Sequence, residues 1–152
     1  MTYQVNWKKL WKKLTKFMSI SILIPVIVLL IFYIIKFGSL DNFFAHITIL
    51  DLSYILLGIV AFSTFFSFFI SIIFKFATIT VTNGYLTGRN YWLLKKTIPI
   101  SSIVALYPFS NNGIEAIVVN GGKHGKVYIS TYTENLEALI LFIKTHMVQK
   151  NA

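Results

Sequence analysis

Two stretches of this chain carry no charge at all: the 19 residues from Phe17 to Ile35 and the 23 from Leu52 to Phe74. At a helical rise of about 1.5 Å per residue the shorter one reaches roughly 28 Å, close to the hydrocarbon thickness of a bilayer. A soluble domain of 152 residues has no use for two such runs, and the composition agrees, with 56% hydrophobic residues and a mean hydropathy of +0.71. Both runs are expected to be transmembrane helices. A cleaved signal peptide has a shorter apolar core of about 7–15 residues. The segment Phe37-Gly38-Ser39-Leu40-Asp41 also offers a poor cleavage site, so the first run is expected to stay as an anchor.

Charge sets the expected orientation. The formal net charge is +9, from 14 Lys and Arg against 5 Asp and Glu. Lys8, Lys9, Lys12, Lys13 and Lys16 stand just before the first apolar run with no acid among them. Cations beside a span suit anionic lipid, whereas nucleic acid calls for a basic stripe on a folded face, so no nucleic-acid partner is expected. Lys and Arg gather in cytoplasmic loops, and here they crowd both flanks while the connecting loop holds Lys36, Asp41 and Asp51. Both termini are expected inside the cell, in a multi-pass protein of the cell membrane.

Within residues 1–16, Trp7, Leu10, Trp11 and Leu14 recur at helical spacing while the lysines take the other positions. The pattern is that of a basic amphipathic helix at the membrane interface, with Trp7 and Trp11 in the headgroup layer. It could sense anionic lipid, oppose a cationic peptide, or only anchor the first span. In the second run Ser63, Ser67 and Ser71 repeat every fourth residue among phenylalanines, a face on which helix backbones approach closely. The partner could be the first span, kinked at Pro25, or a second copy of the chain.

From Phe76 onward the period changes from helical to alternating. Ala77–Thr82, Tyr85–Arg89, Lys96–Ile100, Ile103–Phe109, Ile114–Asn120 and Lys126–Ser130 read as strands. Asn83-Gly84, Ser110-Asn111-Asn112-Gly113 and Gly121-Gly122-Lys123-His124-Gly125 read as turns. Leu136, Leu139, Ile140, Ile143 and Met147 then share one helical face, with Thr131 or Thr133 as the N-cap. The expected architecture is a membrane α+β protein: a basic segment over 1–16, a transmembrane hairpin over 17–75, and a small cytoplasmic β-barrel capped by a C-terminal helix over 76–152.

The stretches Thr78-Ile79-Thr80-Val81-Thr82-Asn83-Gly84-Tyr85-Leu86, Ile98-Pro99-Ile100-Ser101-Ser102-Ile103 and Val127-Tyr128-Ile129-Ser130-Thr131 resemble the bacterial pleckstrin-homology-like domain. Members of that family often carry two preceding spans. The resemblance implies a PH-like barrel, and it implies the role of small Gram-positive proteins that give immunity or resistance to membrane-active bacteriocins, including leaderless ones. Phosphoinositide-binding relatives carry cations in the first hairpin loop, but here that loop is only Asn83-Gly84. The candidate interaction loop is instead Arg89-Asn90-Tyr91-Trp92-Leu93-Leu94-Lys95-Lys96, in which Arg89, Tyr91, Trp92, Lys95 and Lys96 mix aromatics with cations. Trp92 and Leu94 could equally serve as core residues of a small domain.

Little in the chain suggests catalysis. Without cysteine there is no disulfide, thiolate metal site or thiol nucleophile. His46, His124 and His146 lie in three different regions, and Asp41, His46 and Asp51 are read as a solvated loop rather than a metal or proton site. Gly121-Gly122-Lys123-His124-Gly125-Lys126 lacks the spacing, the following Ser or Thr and the helix of a phosphate loop. No enzyme, cofactor or metal is expected. The function expected is that of a non-enzymatic immunity or resistance protein acting on a cationic bacteriocin peptide at the bilayer. The alternative is a membrane-tethered PH-like adaptor that recruits a partner protein or binds anionic lipid headgroups; a homo-oligomer or a membrane partner protein is a further partner expectation.

Overall fold

The computed structural model describes residues 1–38, 44–45, 47–90 and 92–151, which form two compact units: Trp11–Ile70, and Met1–Leu10 together with Ser71–Ala152. The first unit is built from two helices that are long and apolar enough to cross a membrane. Helix α1 spans Trp7–Phe37 and α2 spans Ile49–Lys75. The boundary expected at residue 16 falls inside α1, which runs without a break through the lysine-rich turns and through Pro25. Lys36 lies in the last turn of α1, where a cation complements the helix dipole. Helix α2 opens with a reciprocal cap: Thr48 donates its backbone N–H and its hydroxyl to Asp51 Oδ2 at 2.9 and 2.7 Å, and the Asp51 N–H returns to Thr48 Oγ1. Asp51 is therefore a helix cap, while Asp41 and His46, its neighbours in the loop, lie outside the described residues.

Inside this unit α1 and α2 meet through small and polar groups. The Trp11 indole donates to the Thr64 carbonyl at 3.1 Å and its ring meets Phe68 edge-on at 5.5 Å. The Thr15 and Ser67 hydroxyls bond to each other. Away from that seam both helices expose aliphatic and aromatic side chains along their length, Ile24, Val28, Phe32 and Ile35 on α1 and Leu57, Phe62, Phe65 and Phe69 on α2 among them.

The second unit has seven short antiparallel strands: β1 Thr2–Tyr3, β2 Ile79–Thr82, β3 Tyr85–Arg89, β4 Lys95–Pro99, β5 Ala105–Asn111, β6 Ile114–Asn120 and β7 Lys126–Ser130. Two of the expected turns are made by an Asn-Gly pair with both residues at positive φ: Asn83 and Gly84 at 50° and 77°, Asn112 and Gly113 at 48° and 76°. The third is a short 3-10 turn, Gly122–His124. Pairing runs β1-β2-β3-β7-β6-β5 with β4 on the other side of β3. The strands thus make two sub-sheets, β1 to β4 and β5 to β7, which among the described residues are joined at the pair Arg89↔Tyr128. Among the described residues the sheet is open.

Strand β1 falls inside the segment 1–16 expected as a basic amphipathic helix, whose helical part begins only at Trp7. Thr2 and Tyr3 pair with Thr80 and Ile79, and the Met1 ammonium donates to the Val81 carbonyl at 2.8 Å. The next residues are held by the segment before the last helix: Asn6 N–H donates to Tyr132 O, and Glu134 N–H to Gln4 O, both at 2.8 Å. The first residues of the chain thus belong to the sheet unit.

The core of this unit is aliphatic. Ile79, Leu86, Ile98, Val119, Val127 and Ile129 turn inward from the strands, and Ile103 joins them from the turn before β5. Helix α3, Leu136–Asn151, covers them with Leu139 and Ile143, flanked by Leu136, Ile140 and Met147 on the expected face. Its N-cap is neither threonine. Thr131 donates its hydroxyl to the Glu115 carbonyl, Thr133 is buried in a bridge to Val5, and Asn135 at φ +53° supplies the first accepting carbonyl, to Leu139 N–H. The threonines are taken up by tertiary pairing that no local pattern reports.

Candidate functional site

The loop between β3 and β4 is a tight, self-bonded structure. The Asn90 side chain accepts from the N–H groups of Trp92 and Leu94 at 2.9 and 3.0 Å, and Asn90 N–H closes the loop on Leu94 O at 2.9 Å. An asparagine that bonds backbone two and four residues on is what lets Leu93 adopt φ +62°. The Arg89 guanidinium fastens the same loop, donating to the Leu93 carbonyl and, at 3.5 Å, to that of Phe76.

This ordered loop presents its apolar residues outward: Trp92 is 76% and Leu94 64% exposed, so neither serves the core. Lys95 and Lys96 are exposed beside them. Pairing of Lys95 with Arg89 puts these two cations on one face of the sheet, whereas the stem of Lys96 runs over Gly125, where an added Cβ would come within 2.8 Å of Lys96 Cε. Tyr91, the remaining member of the expected set, lies outside the described residues.

Arg89 and Trp92 also border a cavity of about 310 Å³. Paired strand residues share a face, so Arg89, Tyr128, Val118 and Tyr107 lie on the side of the sheet opposite Val119 and Val127. Phe109, Ala116 and Ser130 share that second face, and it too is largely apolar; Phe109 meets Tyr128 edge-on at 5.3 Å. Val5, Phe74 and Ala77 complete the wall, with Asn111, Asn112 and Glu115 at the polar rim. At the far end of this face Lys126 lies 5.8 Å from the Tyr107 ring centroid, and its hydrogen bond to Tyr107 raises its amine above the ordinary lysine value. The strand assignments gave no sign of this cavity, because they did not say how many faces of β5, β6 and β7 are covered. The adjacent pair Val118-Val119, fully buried on both sides, is the signal that two faces need cover.

The chain matches no family model, no curated protein and no solved structure. Any function is therefore argued from this chain's own residues.

The N-terminal set sits differently from an interfacial helix. Lys8, Lys9, Lys12 and Lys16 are exposed and Lys13 is half-buried, but Leu10 and Leu14 retain only 1% and 2% exposure, and Trp11 is hydrogen-bonded to α2. Trp7 is half-buried. The apolar stripe is used for packing in protein, and spacing could not distinguish that from lipid because both demand the same three-and-four repeat.

Ser63, Ser67 and Ser71 are each fully buried. Ser67 pairs with Thr15 of α1, while the hydroxyls of Ser63 and Ser71 have no partner among the described atoms. Size is what these positions supply. Ser67→Ile, which overfills a closed seam, is expected to destabilise the α1–α2 pair by about 1–3 kcal/mol, whereas Ser63→Ala, which removes an unpartnered hydroxyl, is expected to be nearly neutral; thermal unfolding in detergent followed by circular dichroism measures both. Among the described residues no three His, Asp or Glu side chains come together.

Proposed function

We propose that this is an integral membrane protein with two spans and both termini in the cytoplasm, which gives immunity or resistance to membrane-active bacteriocins of the leaderless type. The observation that carries the reading is the apolar surface of α1 and α2: side chains such as Val28, Phe32, Leu57 and Phe65 are exposed along helices of bilayer length. The helix of a soluble core buries such residues, and a contiguous exposed patch larger than a few hundred Å² calls for a cover, here lipid. The lysine-rich first turns of α1 support cytoplasmic placement of the N-terminus. Seven short antiparallel strands followed by one helix support a PH-like reading of the sheet unit, which acts by binding rather than by catalysis.

Protection follows if the helical pair and its outer loop obstruct insertion of a cationic peptide. Expression in a sensitive bacterium is expected to raise the inhibitory concentration of at least one leaderless bacteriocin several-fold, with unrelated cell-wall antibiotics unaffected. An unchanged inhibitory concentration across a representative panel removes the proposal.

The exposed Trp92 and Leu94, set between Arg89 and Lys95, favour a second reading: a membrane-tethered module that binds anionic headgroups or recruits a partner protein through this loop. Cross-linking in native membranes separates the two, because a stable heterologous partner together with unaltered peptide sensitivity supports the module.

A further inference from the structure

We propose that the cavity beside Arg89 binds one acyl chain of an anionic phospholipid, with the lipid phosphate held by the Arg89 guanidinium at its mouth. The inference deepens the headgroup-binding reading and rests on it, naming a site and a ligand that the exposed loop alone does not.

Three observations converge. The wall is apolar and aromatic, from Val5, Phe74, Phe109, Ile114 and Tyr128, and the volume of about 310 Å³ stands at the low end of the roughly 300–1,000 Å³ typical of small-molecule sites. A largely apolar cavity of that size suits a single hydrocarbon chain. Arg89 brings positive charge to the lining: a guanidinium has five N–H donors, and Arg89 donates to two carbonyls, those of Leu93 and Phe76. Donors remain for a phosphate, which a planar guanidinium grips better than an ammonium can. Glu115 borders the cavity from β6, so the headgroup belongs at the Arg89 end.

The surroundings fit a lipid better than a soluble anion. Phe74 and Ala77 stand on either side of the last residue of α2, so the wall begins where the proposed span ends. Trp92 of the lining is exposed, as are Phe76 and Leu94, and the cations Lys75 and Lys95 are exposed within one or two residues of the lining residues Phe74, Ala77 and Leu93. Apolar groups interleaved with cations match the headgroup layer, in which each Lys or Arg contributes about 1 kcal/mol of attraction to an anionic surface.

The test uses the full chain in phosphatidylcholine nanodiscs doped with phosphatidylglycerol that carries a photoreactive group on one acyl chain. After illumination, labelled peptides are mapped by mass spectrometry. Label is expected in Phe109–Ala116 and at Trp92 and Leu93, above that from photoreactive phosphatidylcholine with the same chains. Arg89→Gln is expected to lose at least about tenfold of the labelling, the equivalent of one charged hydrogen bond. Ile114→Trp, which enlarges a wall side chain into the cavity, is expected to abolish it, and Lys123→Gln, outside the lining, to leave it unchanged.

Label confined to α1 and α2, equal labelling by the two phospholipids, or full labelling of a folded Arg89→Gln variant overturns the assignment. So does stronger labelling of the cavity by photoreactive palmitate than by phosphatidylglycerol, which would make the ligand a free fatty acid. Should Arg89→Gln fail to fold, the wild-type label map and the phospholipid comparison still decide. The map is independent of inhibitory concentrations, so it can fail while protection holds, and the reverse.

Discussion

Gly88→Ala is expected to loosen the whole sheet unit. A Cβ at this position would stand 2.5 Å from Val127 Cγ1 and 2.6 Å from Ile79 Cδ1, both on fully buried side chains. Both neighbours are terminal methyls, but their side chains are packed in the core, so the added methyl has to push β3 away from β7 or force a rotamer. Overpacking of this kind costs about 1–3 kcal/mol, which for a domain of about 100 residues lowers the melting temperature by roughly 5–20 °C. The measurement is a thermal melt of the purified full chain in detergent, with Gly58→Ala as the control, since an added methyl there meets nothing within 4 Å. Equal melting of the two variants would mean that the close approach of β3, β2 and β7 at Gly88 is not what holds the two sub-sheets together.

The second large effect concerns the helices. Val28→Arg and Phe65→Arg each put a cation on an outward position near the middle of α1 and α2, where the native side chains are 58% and 59% exposed. In a bilayer each substitution opposes insertion by about 2.5–3.5 kcal/mol, and the pair by roughly 5–7 kcal/mol. The doubly substituted chain is expected to leave the carbonate-resistant membrane fraction, wholly or in large part. In a water-soluble protein the same changes at exposed positions would shift stability by no more than about 0.5 kcal/mol and would improve solubility. A double variant that still partitions with membranes as the parent does, or a parent that is monodisperse without detergent, contradicts the two-span proposal.

Much of the local structure was legible because local rules governed it. Asn83-Gly84 and Asn112-Gly113 fix two hairpins through positive φ, which sets the register of β2 with β3 and of β5 with β6. Leu139 and Ile143 fall on the buried face of α3 by spacing alone. What escaped was decided by partners distant in sequence. Two residues are too few to show an alternation, so Thr2–Tyr3 carry no strand signal, and the bond from Met1 to Val81 spans 80 positions. The stripe of Leu10 and Leu14 was seen, but its destination was not, because protein and lipid reward the same pattern. Of the candidate site, the loop from Arg89 to Lys96 was legible from its aromatic and basic mixture. The cavity behind it was not, since its walls come from the N-terminus, the end of α2, the β3–β4 loop and the β5–β6 hairpin.

The pairing of Thr2 with Thr80 has a consequence for the timing of synthesis. At about 5–20 residues per second, the ribosome takes roughly 4–16 s to reach the partner strand after making the first residues. Throughout that interval both apolar helices emerge while the opening segment has nothing to pair with. The sheet unit therefore cannot be completed domain by domain from the amino end, and its edge strand must be recruited after the last of α2 has been made.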